Sequence, residues 1–345
     1  MKPLNQLLRS NIKNLKPYSS ARDEYTGEAA VFLDANENPY NQPYNRYPDP
    51  YQRKVKEKIA ALKGIDAAQI FLGNGSDEPI DLLFRAFCEP GVDNVVSIDP
   101  TYGMYQVAAD INNVEVRKVL LTEDFELNTD GLLAACDEHT KLLFICSPNN
   151  PTGNCLAEAD IQRLVSEFEG IVVLDEAYID FAPEKSWLSK LGANPNLVIL
   201  QTFSKAWGMA GIRLGMAFAA PELIKVLSNI KYPYNINILT QEKALELLER
   251  ADEKQKWVEL LLKERTYLKE VLLQLNYVQK VYPSDANYLL VRVDDARGVY
   301  DYLVQKQIII RDRSSVALCA GCLRITVGTT EENKQLTEAL NMYPK

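Results

Sequence analysis

Short, mostly apolar runs alternate along this chain with longer stretches whose apolar positions recur at helical spacing. The runs at 95–98, 142–146, 171–174 and 197–200 are mostly apolar, 114–119 mixes valines with charged residues, and all five read as short strands. Between them, the periodicity predicts helices at 49–62, stopped by Gly64, and at 158–168, stopped near Gly170. Strands alternating with helices predict an α/β fold around a mostly parallel sheet. After Asn237 the pattern changes: one long helical stretch is expected to about Leu275, then strands at 288–293, 308–310 and 323–327. Thr329-Thr-Glu-Glu332 reads as a capping box opening a last helix toward Leu340. The expected organisation is an N-terminal arm (1–44) packed on the small domain or a dimer partner, a large domain (45–255) and a smaller α+β domain (256–345). The arm is rich in Asn, Pro and Tyr and has too few periodic apolar residues to bury itself.

Composition narrows the class without changing that picture. A chain of 345 residues with 47% hydrophobic and 25% charged residues is enzyme-sized and globular. A net charge of -9 and the lack of any long Lys/Arg run argue against nucleic-acid binding. No apolar run reaches the roughly 18 residues of a membrane span and no signal peptide is visible, so no membrane partner and a cytoplasmic location are expected. Six cysteines without framework spacing suit free thiols in a reducing compartment. Cys319-Ala-Gly-Cys322 lacks the two further ligands a zinc site needs, so no metal is expected. His139 is the only histidine and lies in a polar stretch, which leaves little for a Ser-His-Asp triad.

Candidate chemistry collects at strand ends, where ligands of α/β sheets bind. The run ending at Leu200 leads into Gln-Thr-Phe-Ser-Lys-Ala-Trp-Gly-Met-Ala-Gly-Ile-Arg-Leu-Gly215, which holds Ser204, Lys205 and Arg213. Ile171-Val-Val-Leu-Asp-Glu-Ala-Tyr178 ends in Asp175, a carboxylate that needs a partner if buried. By itself it reads equally as a turn cap. Cys146-Ser-Pro-Asn-Asn-Pro-Thr-Gly153 is a proline-fixed turn presenting Asn149 and Asn150. Gly73-Asn-Gly-Ser-Asp-Glu78 precedes a helical pattern, so its backbone N–H groups are placed to hold a phosphate, although Ser76 as a plain N-cap explains it too.

These motifs, in this order and over nearly the whole chain, closely resemble the fold-type I, aspartate-aminotransferase-like enzymes that use pyridoxal 5′-phosphate. The resemblance implies that Lys205 carries the cofactor as a Schiff base and shuttles protons, that Asp175 pairs with the ring nitrogen, and that Tyr178 and Asn150 hold the phenolic oxygen. It implies that Tyr102, in Asp99-Pro-Thr-Tyr-Gly103, stacks on the ring, with Gly75, Ser76, Asp77, Ser204 and Arg213 around the phosphate.

Further motifs resemble the histidinol-phosphate-using branch of that family: Asn14-Leu-Lys-Pro-Tyr18 with Ala21-Arg22, Leu33-Asp-Ala-Asn-Glu-Asn-Pro39, Asn45-Arg-Tyr-Pro-Asp49, Ile310-Arg-Asp-Arg and Gly321-Cys-Leu-Arg-Ile-Thr-Val-Gly-Thr329. They imply exchange of an amino group between histidinol phosphate and 2-oxoglutarate, giving imidazole acetol phosphate and glutamate, in histidine biosynthesis. An aromatic aminotransferase or a threonine-phosphate decarboxylase are the alternatives on the same fold. Arg311 and Arg324 are the implied substrate-anion clamp, with Tyr18 and Asn36 bordering the pocket. A homodimer is implied, Tyr47 reaching the partner's cofactor phosphate.

Overall fold

The computed structural model describes residues 2–18 and 31–344; the expected Ala21-Arg22 motif lies outside them. The five runs, with two strands not read from the sequence (β1 and β7), form a seven-stranded sheet: β1 (Ile70–Asn74), β2 (Asn94–Asp99), β3 (Glu115–Leu120), β4 (Thr140–Cys146), β5 (Ile171–Asp175), β6 (Leu197–Thr202) and β7 (Leu214–Phe218). Its order is β1-β7-β6-β5-β4-β2-β3, with β7 antiparallel to both its neighbours and the remaining pairs parallel.

Why the strands are apolar on both faces is visible in β5. Val172 and Leu174 join one core cluster with Ile59, Leu164 and Leu247, whereas Ile171 and Val173 join the opposite one with Leu83, Phe84 and Leu227. Alternate residues of one strand thus feed two helical layers. Each such side chain contributes about 1.5–3 kcal/mol on burial.

A second, antiparallel sheet follows, ordered β10-β11-β9-β8, from β8 (Val278–Val281), β9 (Tyr288–Val293), β10 (Arg311–Asp312) and β11 (Cys322–Thr326). It has its own core around Leu289, Val291, Leu323 and Leu340. Tyr288 ties it to the large sheet, its phenol donating to the Asn149 carbonyl at 2.6 Å.

Several expected boundaries shift for local reasons. The helix expected at 49–62 is Arg53–Lys63, because Asp49 accepts from the N–H groups of Tyr51 and Arg53 at 2.9 and 2.7 Å and Gln52 is left-handed. The stretch after Asn237 is two helices, Ile238–Leu248 and Ala251–Leu272, not one. Leu247 and Leu248 serve the large core while Leu268 and Leu272 serve the small one, so the axis must break between them. Residues 308–310 form no strand; pairing is confined to Arg311 and Asp312. The capping box is present, Thr329 and Glu332 each bonding the other's backbone.

The start of the arm also differs from expectation. Leu7 is buried in the large-sheet cluster, Lys2 N–H donates to the Glu169 carbonyl at 2.8 Å, and Arg9 N–H to that of Ala86 at 3.0 Å. Residues 2–9 therefore lie on the large unit rather than the small sheet, because a buried leucine and two backbone bonds anchor them there. Among the described residues, no helix is long and apolar enough to cross a membrane.

Candidate active site

Parallel strands side by side bring their C-terminal ends to one edge, and here that edge collects chemistry. Cys146 and Asp175 are register partners at the ends of β4 and β5, and Thr202 ends β6 just before Ser204 and Lys205. A cavity of about 580 Å³ opens there, lined by Gly75, Ser76, Asp77, Tyr102, Asn150, Asp175, Tyr178, Ser204, Lys205, Arg213, Arg311 and Arg324.

Asp175 is buried, with one donor on each oxygen and acceptor capacity to spare. Its Oδ2 accepts from the Tyr105 phenol at 2.7 Å and its Oδ1 from the Ala177 N–H at 3.0 Å. Burial pushes its carboxyl above the usual range, and these two bonds pull back toward the ionised form. Lys205 is shifted the other way: burial first, then the Arg324 charge, lower its ammonium below the ordinary lysine range, while Asp175 and Asp77 oppose. A lowered lysine offers more free amine for attack on a carbonyl. Its Nζ lies 5.4 Å from the centre of the Tyr178 ring, and Tyr178 itself is buried edge-on against Tyr288.

The two asparagines part company. Asn149 is buried and structural, donating to the Pro100 carbonyl and to Thr152 Oγ1, each at 2.9 Å. Asn150 faces the cavity, and its side-chain oxygen accepts from the Arg324 guanidinium, which turns the amide N–H2 elsewhere.

The loop after β1 forms a cup. Gly75 has φ +71°, and a Cβ there would stand 2.5 Å from an Arg213 guanidinium nitrogen. A Cβ on Gly215 would meet the Gly75 backbone at 2.1 Å, so only glycines let β7 and this loop approach. Helix Asp77–Phe87 starts beside it without a side-chain cap from Ser76. The N–H groups of its first turn have no partner within the helix, so they can face an anion. Asp77 accepts from Tyr102 at 3.1 Å and from Arg213 at 3.5 Å, while Arg213 reaches Ser204 at 3.5 Å. The Arg213 contacts are at the weak limit of hydrogen bonding, which leaves its charge available.

Tyr18, Asn36 and Tyr47 do not line this cavity. Tyr18 is 68% exposed, Asn36 is exposed with φ 55°, and Tyr47 stacks on Tyr234 with ring centres 4.4 Å apart. Two residues missed in the sequence do belong to the site. Tyr102 sits just ahead of helix Met104–Ile111 and its ring meets that of Tyr105 edge-on, with centres 5.6 Å apart, and Arg313 lines the cavity two positions from Arg311.

The model of the family described as aminotransferase class I and II matches residues 23–340. The chain belongs to the class I and II aminotransferase family. A histidinol-phosphate aminotransferase of Bacteroides fragilis is 61% identical over 344 residues, covering 99% of this chain and all of the relative. One from Cytophaga hutchinsonii is 56% identical, with 99% of both chains covered. The solved histidinol-phosphate aminotransferase from Clostridium acetobutylicum shares this aminotransferase's fold, with a TM-score of 0.79 at 24% identity over 86% of this chain and 90% of that one. The mostly parallel sheet expected from the apolar runs is thus the family's sheet.

Proposed function

We propose that this aminotransferase moves an amino group between L-histidinol phosphate and 2-oxoglutarate, giving imidazole acetol phosphate and glutamate, with pyridoxal 5′-phosphate on Lys205. The observation that carries the substrate is the pair Arg311 and Arg324, register partners on β10 and β11 at the cavity. Such a pair suits the phosphate of one substrate and the distal carboxylate of the other. The relatives named for histidinol phosphate, matched end to end, support the same reading.

The residues fit the cofactor. The glycine cup, Ser204 and Arg213 offer donors and charge that would suit its phosphate, and the buried Asp175 at the cavity would suit a protonated ring nitrogen. When bound, the cofactor supplies an electron sink for the substrate's α-carbon. Lys205 Nζ would hold it covalently and could move a proton at that carbon. The charge of Asp175 would keep the ring nitrogen protonated. The Asn150 amide and the Tyr178 phenol would donate to the phenolic oxygen, and Tyr102, held by its bond to Asp77, would cover the ring. The second sheet and helix Ala251–Leu272 act as the smaller domain that presents Arg311 and Arg324. The arm belongs to a homodimer, in which Tyr47 serves the partner's phosphate cup.

The test is a half-reaction. Histidinol phosphate added to the yellow holoprotein is expected to bleach the cofactor band stoichiometrically, and 2-oxoglutarate to restore it. A spectrum unmoved by histidinol phosphate, or carbon dioxide released from threonine phosphate without 2-oxoglutarate, would replace this reading.

Tyr105 has a testable part in it. Its phenol favours the ionised Asp175, so the shared proton stays on the ring nitrogen. Tyr105→Phe is expected to weaken cofactor binding to the apoprotein about 10-fold or more, as for a lost hydrogen bond to a charged group. The acid limb of that binding, which reports Asp175 protonation, should move to higher pH. Unchanged affinity and an unmoved limb would show Tyr105 to be only a packing residue.

A further inference from the structure

We infer that Arg313 is a third ligand of the substrate's anionic group and selects a doubly charged phosphate over a carboxylate; this deepens the functional reading above and rests on it. Arg311 opens the two-residue strand and Arg313 directly follows it, its N–H still bonded to the neighbouring strand, and both line the cavity. Asp312 is turned to its own loop, accepting from the Ser314 N–H at 2.8 Å and its hydroxyl at 2.6 Å. Arg311 stands directly opposite Arg324 in the antiparallel register, and like charges so placed repel. All three guanidiniums line the cavity.

None of the three has a carboxylate to neutralise it in any ion pair found among the described residues. Arg324 uses neutral partners, the Asn150 oxygen and the face of Tyr288 at 5.3 Å. Arg313 has an Nε that is buried without a hydrogen-bond partner. A buried donor without an acceptor is unfavourable unless something fills the gap. Its backbone is pinned, the N–H donating to the Cys322 carbonyl at 2.8 Å and the carbonyl accepting from Val316 at 2.9 Å, so the side chain is held at the site by the sheet. Burial and the charges of Arg324 and Arg311 hold its guanidinium below the usual range, as expected for a cation missing its anion.

The stoichiometry of charge then names the ligand class. A carboxylate brings one negative charge and two oxygens, which the Arg311 and Arg324 pair can satisfy. A phosphate monoester brings about 1.5 to 2 charges and three terminal oxygens, which gives a third arginine something to bind. Arg313 therefore bears more on the phosphorylated substrate than on 2-oxoglutarate.

Arg313→Gln and Arg313→Lys holoproteins, checked for cofactor colour and melting temperature, would be compared with wild type on histidinol phosphate and on histidinol, which lacks the phosphate. The ratio of kcat/KM for the two donors is expected to fall about 10- to 100-fold in the glutamine variant, mostly through KM, with partial recovery in the lysine variant. Inhibition by inorganic phosphate should weaken in parallel. An unchanged donor ratio together with unchanged phosphate inhibition, in a folded and coloured variant, would overturn the assignment of Arg313. Wild type that fails to use histidinol phosphate would instead overturn the functional reading, so the two failures are distinguishable.

Discussion

Lys205→Ala is expected to fold, to lose the covalently held yellow chromophore, and to turn over at least about 1,000-fold more slowly than wild type, since it removes both the amine and the proton carrier. The substitution opens space in the cavity wall and breaks no hydrogen bond that supports the sheet. A circular dichroism spectrum and melting curve like those of wild type would separate loss of chemistry from loss of fold. Turnover within tenfold of wild type would remove Lys205 from the mechanism. The same variant tests the proposed dimer. Mixed with Tyr47→Ala subunits under conditions of proven exchange, it should regain activity, because one site of each mixed dimer then has both Lys205 and a partner's Tyr47. Mixed dimers as inactive as their parents would place Tyr47 in its own subunit's site or in none.

Asp175→Asn should lower kcat by about 30-fold to several thousand-fold, matching the roughly 2–5 kcal/mol for losing one side of a buried, hydrogen-bonded charge pair. The isosteric amide can keep its oxygen toward the Ala177 N–H and donate its N–H2 to the Tyr105 hydroxyl oxygen, so the loss reports charge rather than packing. pH supplies the second readout. Burial raises the Asp175 carboxyl, so its charge, and with it the grip on a ring cation, is lost as pH falls through a value above the ordinary carboxylate range. Cofactor binding to the wild-type apoprotein should weaken along that limb on acidification, and the limb should vanish in Asp175→Asn. Full activity in the amide variant, with the limb retained, would mean that another group serves the ring nitrogen.

The inner strands β2, β4, β5 and β6 were legible because they are covered on both faces, whereas β3 is a partly exposed edge strand with a mixed, charged run and β1 and β7 were not read from the sequence. A strand such as Ile171–Asp175 has no solvent side to carry polar residues, so its boundaries coincide with the edges of its apolar run. Asp175 stood out for the same reason, as a carboxylate at the end of such a run. The helical break at Arg250 left no trace, because the residues on either side are good helix formers and only the separation of two cores bends the chain there. The supposed strand at 308–310 failed on pairing: Ile310 is buried and Ile309 70% exposed, an alternation that suits a strand, yet no neighbour lies in register before Arg311.

By itself the sequence marked the proposed residues and most of the sheet that holds them, since Lys205, Asp175 and Asn150 lie where apolar runs stop. Only the tertiary structure decided how they are tuned. The Tyr105 bond to Asp175 joins residues 70 positions apart, and the facing of Arg311, Arg313 and Arg324 depends on a strand register no local pattern encodes. It likewise moved Asn149 from the cavity to the turn's interior and left Tyr18, Asn36 and Tyr47 outside their own chain's cavity. Hydrophobic periodicity is a local property, while hydrogen bonds and charge clusters at a sheet edge arise between distant segments once the core has brought them together.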